Sequence, residues 1–340
     1  MINRIILLLA LCICNQSNSK ILFISAAYNR PDLIELLHRC LNKFVEEDFE
    51  LVIFNDAEEE HFKKSIEYEC LRLRIKHVPI VQNLIHKNHQ ESVPAWKDVF
   101  SFHSKDGQRY PYRVNFREGE VIQHAFELLG FNHNDIVVNI DLDCFPIRPV
   151  SIRSKMNNHL IAGYKMPTGW NRANMPQGEG LLPILMAFDM PNLPHKEAIK
   201  FSSGFVGTHW FDLCGLLQFY TYCHDIKVED WCKLGHVHCS KLGMCYSREE
   251  LAKMGYSATT IDFVKNYYQK LFVELGYTPQ GIECDNQCNK KPGKIIFDLG
   301  QIMDKDFFHF NQCTNWMGAY DDVFIKAKSE LVRNFIFSIT

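Results

Sequence analysis

From residue 21 the chain reads Ile-Leu-Phe-Ile-Ser-Ala-Ala-Tyr, an almost unbroken apolar run ending at Tyr28. A strand with one wet face would alternate apolar and polar positions. A continuous run fits a strand of a parallel sheet that is covered on both faces. Asn29, Arg30, Pro31 and Asp32 then open a helix in which Leu33, Leu36, Leu37, Cys40, Leu41 and Phe44 recur at helical spacing and form one apolar stripe. Residues 49–54 predict a second strand running into Asn55, Asp56 and Ala57, and residues 75–80 a third after a polar helix. Residues 82–112 are irregular and rich in His, Asn, Gln and Pro, as binding loops or lids often are. A helix with Val121, Ile122, Ala125, Phe126, Leu128 and Leu129 on its apolar side hands over at Gly130 to a β-rich run, 135–140. Strand and helix alternate through this first half, which predicts an α/β fold with a parallel sheet. In such sheets ligands bind at the carboxyl ends of the strands, where Tyr28, Asp56, Asp141 and Asp143 fall.

The second half is less regular. Residues 163–180 read as a loop containing Trp170, and 183–194 hold Asp189 between apolar residues and prolines. Residues 201–207, around Gly204, read as a tight strand beside a ligand. Helical patterns fill much of 248–276, a strand is expected at 294–299, His309 lies in Phe307-Phe308-His309-Phe310-Asn311, and a terminal helix is expected from Tyr320.

Composition narrows the class. The 340 residues are 46% hydrophobic and 23% charged, and the net charge of −3 comes with no lysine- or arginine-dense block, so no nucleic-acid partner is expected. Residues 5–14 are apolar but fall far short of the ~20 needed to span a bilayer. With Arg4 before them and Ser17 and Ser19 after, residues 1–19 read as a signal peptide. The expected location is therefore a secretory lumen, a periplasm or the extracellular space, with no transmembrane span beyond that segment. Cleavage would leave an odd number of cysteines. Cys223, Cys232, Cys239 and Cys245 lie near His224, His236 and His238, but match no common finger spacing, so disulfides or buried thiols are expected ahead of zinc. Cys284 and Cys288 are close enough in sequence to bridge a small loop.

The chemistry concentrates at Asp141-Leu142-Asp143, where the 135–140 strand runs out. Residues i and i+2 of a strand share a face. Two aligned carboxylates repel unless a cation separates them or one keeps a proton. Oxygen donors of this kind suit Mg²⁺ or Mn²⁺, commonly together with phosphate oxygens.

Three stretches, in sequence order, resemble the GT-A class of glycosyltransferases, the nucleotide-diphospho-sugar transferases. They are the opening strand and helix with Ala26-Ala27-Tyr28-Asn29-Arg30-Pro31 at the turn; Asn139-Ile140-Asp141-Leu142-Asp143-Cys144-Phe145-Pro146-Ile147-Arg148-Pro149; and the late His309. The resemblance implies a Rossmann-like, mostly parallel sheet flanked by helices, with an irregular acceptor-side second half. Residues 20–340 would form one domain, 20–150 its nucleotide-binding half and 151–340 its acceptor-binding half. It also implies metal-dependent transfer of a sugar from a nucleotide-sugar donor to a glycan, lipid or protein acceptor, with Mn²⁺ or Mg²⁺ as cofactor.

By the same resemblance Ala26 and Tyr28 would line the nucleoside pocket and Asp56 would reach base or ribose. Asp141 would touch the ribose and share the cation, Asp143 would be its principal ligand and His309 would complete the site. Arg113 or Arg117 would steady the diphosphate. Asp189 is taken as a catalytic carboxylate, with Asp212, Asp321 and Asp322 as other candidates for a base. Trp170, Trp210 and Trp316 could carry sugar rings, although core packing is the commoner use of tryptophan; Trp170, Gly204 and Trp316 make up the expected acceptor side. Competing readings are a secreted, non-catalytic glycan- or nucleotide-binding protein, a haloacid-dehalogenase-like phosphohydrolase and a nucleotidyltransferase. The phosphohydrolase would carry its motif on the first strand, and the nucleotidyltransferase would want a Gly-rich, basic first turn.

Overall fold

The computed structural model describes residues 20–85, 101–103, 109–111, 113–165, 179–201, 204–206, 209–211, 214, 216–233, 235–280, 295–297, 300–310 and 322–340. The chain opens with β1 (Ile21–Ala27), a helix Asp32–Phe44, β2 (Phe49–Asn55), a helix Glu60–Leu73 and β3 (Lys76–Pro79). A short helix Gln82–Ile85 precedes a ribbon of β4 (Ser101–His103) and β5 (Arg109–Pro111). The helix Arg113–Ala125, extended by a wider turn at Phe126–Gly130, leads into β6 (Ile136–Ile140) and β7 (Cys144–Pro146). Next come β8 (Ile161–Lys165), β9 (Leu181–Asp189), the ribbon of β10 (Gly204–Val206) and β11 (His209–Phe211), β12 (Val228–Asp230) and β13 (His236–His238). Helices Cys239–Cys245, Arg248–Lys253 and Ala258–Tyr268 precede β14 (Thr278–Gln280), β15 (Ile295–Phe297), β16 (Gln301–Met303) and β17 (Phe307–His309). The helix Asp322–Ile339 closes the chain.

Seven strands form the main sheet in the order β12-β8-β9-β6-β1-β2-β3. It is mostly parallel and flanked by helices, as the sequence predicts; β9 alone runs antiparallel to its neighbours β6 and β8. The strands from before residue 150, β6, β1, β2 and β3, make up one side of it, and those from after, β9, β8 and β12, the other. The continuous apolar run of β1 has its explanation here. Ile21 and Phe23 enter one core, with the helices Asp32–Phe44 and Ala258–Tyr268. Leu22 and Ile24 enter a second core on the other face, with Val121, Ile122 and Ala125.

That second core anchors the helix Arg113–Ala125. Phe126, at its end, lies 5.2 Å from Phe188 and 4.4 Å from Phe201 between ring centroids, and burial of one such ring is worth about 1.5–3 kcal/mol. A smaller antiparallel sheet, β13-β16-β17-β7, leans on the main one. The chain crosses between the two sheets where β6 becomes β7, through Asp141-Leu142-Asp143.

Candidate metal and nucleotide site

The Asp pair is gathered by a turn. Cys144 donates its N–H to the Asp141 carbonyl at 2.9 Å, which closes the turn, and Asp141 donates its own N–H to the Ile184 carbonyl at 3.0 Å. Strand alternation, the basis of the sequence expectation, therefore does not align the two carboxylates, because β6 has already ended at Ile140. On the far side β17 pairs with β7 so that His309 faces Cys144, and Phe310 donates its N–H to the Asp143 carbonyl at 2.8 Å. His309 Nε2 thereby comes within 3.4 Å of Asp143 Oδ1. One ligand atom each from Asp141, Asp143 and His309 lie within 4.8 Å of one another.

The electrostatics favour a cation. Burial, then the charges of Glu118 and Asp143 together with a hydrogen bond shared with Glu118, hold the Asp141 carboxyl well above the usual carboxylate range; the His309 imidazole opposes them. Three carboxylates so close, partly removed from water, repel strongly unless protonated or neutralised. Two carboxylates and an imidazole form a donor set that suits a divalent ion. Sequence reasoning missed Glu118. It is one residue from Arg117 on a helix read for its apolar stripe and its two arginines, and no sequence signal ties it to Asp141.

A second group forms at the carboxyl ends of β1 and β2. Asp56, 4% exposed, accepts from Arg117 Nε at Oδ2 (2.6 Å) and from Gln82 Nε2 at Oδ1 (3.0 Å). Arg117 Nη2 also donates to the Asp56 carbonyl at 2.6 Å and to Gln82 Oε1 at 2.7 Å, and Nη1 donates to Glu58. The same guanidinium lies 4.8 Å from the centroid of the Tyr28 ring. Tyr28, Asp56 and Arg117 are thus brought together, with Ala26 half-buried near the end of β1. Asp56 does not cap the next helix, whose N-cap is Glu59.

Asp189 does not join the site, which corrects its assignment as a catalytic carboxylate. Because β9 runs antiparallel to β6, Asp189 pairs with Ile136, at the end of β6 remote from Asp141, and its Oδ2 accepts from Asn192 at 2.8 Å. Gly204 sits in β10 opposite Phe211. Trp170, Trp316, Asp212, Asp321, residues 1–19, Cys284 and Cys288 lie outside the described residues. Among the described residues Cys223 and Cys232 are free thiols, and Asp141, Asp143 and His309 form the group that could hold a metal ion. No described helix is long and apolar enough to cross a membrane.

No protein-family model and no curated protein matches the chain. Among solved structures it is similar to the galactosyltransferase LgtC, determined in complex with donor and acceptor sugar analogs, at 7% identity and a TM-score of 0.31, covering 50% of this chain and 58% of that one. It is also similar to the mannosyltransferase Ktr4p from S. cerevisiae, at 11% identity and a TM-score of 0.28, covering 43% of this chain and 39% of that one. The chain thus spans about half or less of the length of these structures. The likeness is partial, and the functional reading rests on the geometry of the site.

Proposed function

We propose that the protein is a glycosyltransferase of the GT-A class, moving a hexosyl or related sugar from a nucleotide-diphosphate donor to an acceptor. One observation carries this reading. The Asp141, Asp143 and His309 group and the Tyr28, Asp56 and Arg117 group occupy the carboxyl ends of the neighbouring strands β6, β1 and β2, where α/β sheets bind ligands. A ligand with a flat base at one end and a metal-seeking diphosphate at the other matches that spacing of chemistries.

Asp141, Asp143 and His309 would hold Mn²⁺ or Mg²⁺. Such an ion, when bound, stabilises the negative charge that develops on a departing diphosphate. The protein groups do the rest. Tyr28 offers an aromatic face backed by the Arg117 guanidinium, which suits a base. Asp56 keeps that guanidinium in place through two hydrogen bonds to its carboxylate. Glu118 orients the Asp141 carboxylate. Burial of His309, 3% exposed, keeps water from one side of the metal group. Residues 1–19, as a signal peptide, would deliver the protein to a secretory lumen, a periplasm or the exterior.

The test is thermal unfolding against a panel of nucleoside diphosphates and nucleotide sugars, with and without Mn²⁺. A midpoint rise that needs both metal and one nucleotide, and disappears in Asp143→Ala, supports the reading. No shift with any nucleotide overturns it.

A further inference from the structure

The small sheet carries a polar row that the metal and nucleotide groups leave unused. In register, His238 faces Gln301, Gln301 faces His309 and His309 faces Cys144. Directly opposed residues of antiparallel strands point to the same face, so His238, Gln301 and His309 share one. His236, two residues before His238, shares it too. Its ring stands 5.9 Å from that of His238, and its Nδ1 hydrogen-bonds the Tyr164 hydroxyl of the main sheet. The same face turns Phe307 onto Trp231, stacked at 6.3 Å, so it looks toward the main sheet. The opposite face packs Phe308 on Phe263 and Phe335.

Two facts set this row apart from ordinary packing. A surface between two sheets is normally apolar, yet this one carries imidazoles in succession. The Nδ1 atoms of His238 and His309 are both buried without a hydrogen-bond partner among the described residues. Buried polar atoms left unpaired are rare in folded proteins and point to a missing water or ligand. Exposure also falls along the row, from His236 at the surface through half-buried His238 to buried His309 in the metal group. The row therefore runs from the surface to the proposed reaction centre.

We infer that the face formed by Tyr164, His236, His238, Gln301 and His309 is a binding subsite for a neutral, hydroxyl-rich ligand, and that the acceptor is a glycan. Partial removal of its ring from water, then the neighbouring His238 and His309, lowers the His236 pKa. A neutral imidazole offers one donor and one acceptor, and an amide offers both. A sugar hydroxyl needs the same pair. No lysine or arginine stands in the row to select an anion, and its polarity disfavours an acyl chain. The word acceptor rests on the transferase reading; the subsite itself does not.

The experiment is saturation-transfer NMR on the full chain with the methyl glycosides of glucose, galactose, mannose and N-acetylglucosamine, first without nucleotide. Binding of at least one glycoside, weakened about fivefold or more by His236→Ala and by His238→Ala as loss of a neutral hydrogen bond predicts, supports the subsite. His236 is exposed, so its variant reports even if His238→Ala folds poorly. In the wild type, added Mn²⁺ should broaden the signals of the bound glycoside, and in Asp143→Ala it should not. No binding by any of these glycosides, or binding indifferent to both histidine substitutions, overturns the subsite. Glycoside binding without any metal-dependent nucleotide shift would keep the subsite and sink the transferase reading; the reverse result would sink the subsite alone.

Discussion

His309 Nε2 stands 3.4 Å from Asp143 Oδ1, a contact set by the pairing of β17 with β7. The metal group is thus completed by a strand from the far end of the chain, and its geometry depends on the docking of the small sheet. Removal of either residue should be read in metal binding before it is read in activity. Mn²⁺ at about 100 times its dissociation constant should stabilise the wild type by about 2.7 kcal/mol. Asp143→Ala should lose that gain entirely and His309→Ala most of it, both measurable as the midpoint shift on metal addition. An unchanged shift in Asp143→Ala would remove the metal from the mechanism.

Metal affinity should rise with pH. The Asp141 carboxyl is held above its ordinary value of 3.8 by burial, by Glu118 and by Asp143. A carboxyl whose folded pKa exceeds its unfolded one contributes stability below the unfolded value and loses it as pH rises through the folded value. The metal-free protein should therefore lose stability at this site from about pH 4 upward, while Mn²⁺, which displaces the proton, restores it. Titration calorimetry in two buffers of different ionisation enthalpy should show proton release on Mn²⁺ binding, and Asp141→Asn should abolish it.

Arg117 and Asp56 form a buried pair, 9% and 4% exposed. Truncation of one partner leaves the other a buried charge without its ion-pair counterpart, which costs up to about 3–5 kcal/mol. Arg117→Ala should lose that much in urea unfolding. The double variant Arg117→Met with Asp56→Asn should recover a good part of it, but should bind nucleotide no better than Arg117→Ala. Recovery of nucleotide binding in the double variant would mean that the pair only holds the fold.

Gly163 in β8 sits at φ +150° beside a shift in the β8–β9 register, and a Cβ there would come 2.2 Å from the Leu185 carbonyl oxygen. That atom is backbone and cannot swing away. Gly163→Ala should cost about 1–3 kcal/mol or more from overpacking, seen as a lower unfolding midpoint. Because Ile184 and Leu185 lie beside the Asp141 turn, Mn²⁺ affinity should fall as well.

The same register shift explains what the sequence concealed. Residues 183–194 did not read as a strand, because Pro183 has no N–H to give a ladder and a proline argues against an internal strand. The structure tolerates Pro183 in β9 because the β8–β9 pairing is interrupted between Gly163 and Lys165, where Met186 and Leu181 are the flanking partners. The direction of β9, and with it the place of Asp189, follows from that pairing and has no local signature. The histidines of β13 were likewise read with the nearby cysteines, and only register with β16 and β17 sets them in line with His309.

Local pattern was enough for the alternation of β1, β2 and β3 with their helices, for burial of β1 on both faces and for the Asp141-Leu142-Asp143 feature where a strand runs out. Each is set within a few residues, by apolar periodicity, by turn chemistry or by the order of side chains. The joining of His309 to Asp143, Glu118 to Asp141 and Arg117 to Asp56 was decided by tertiary structure alone. Those contacts depend on strand direction, register and helix placement, which are fixed by packing between segments far apart in the chain and leave no mark in the residues beside them.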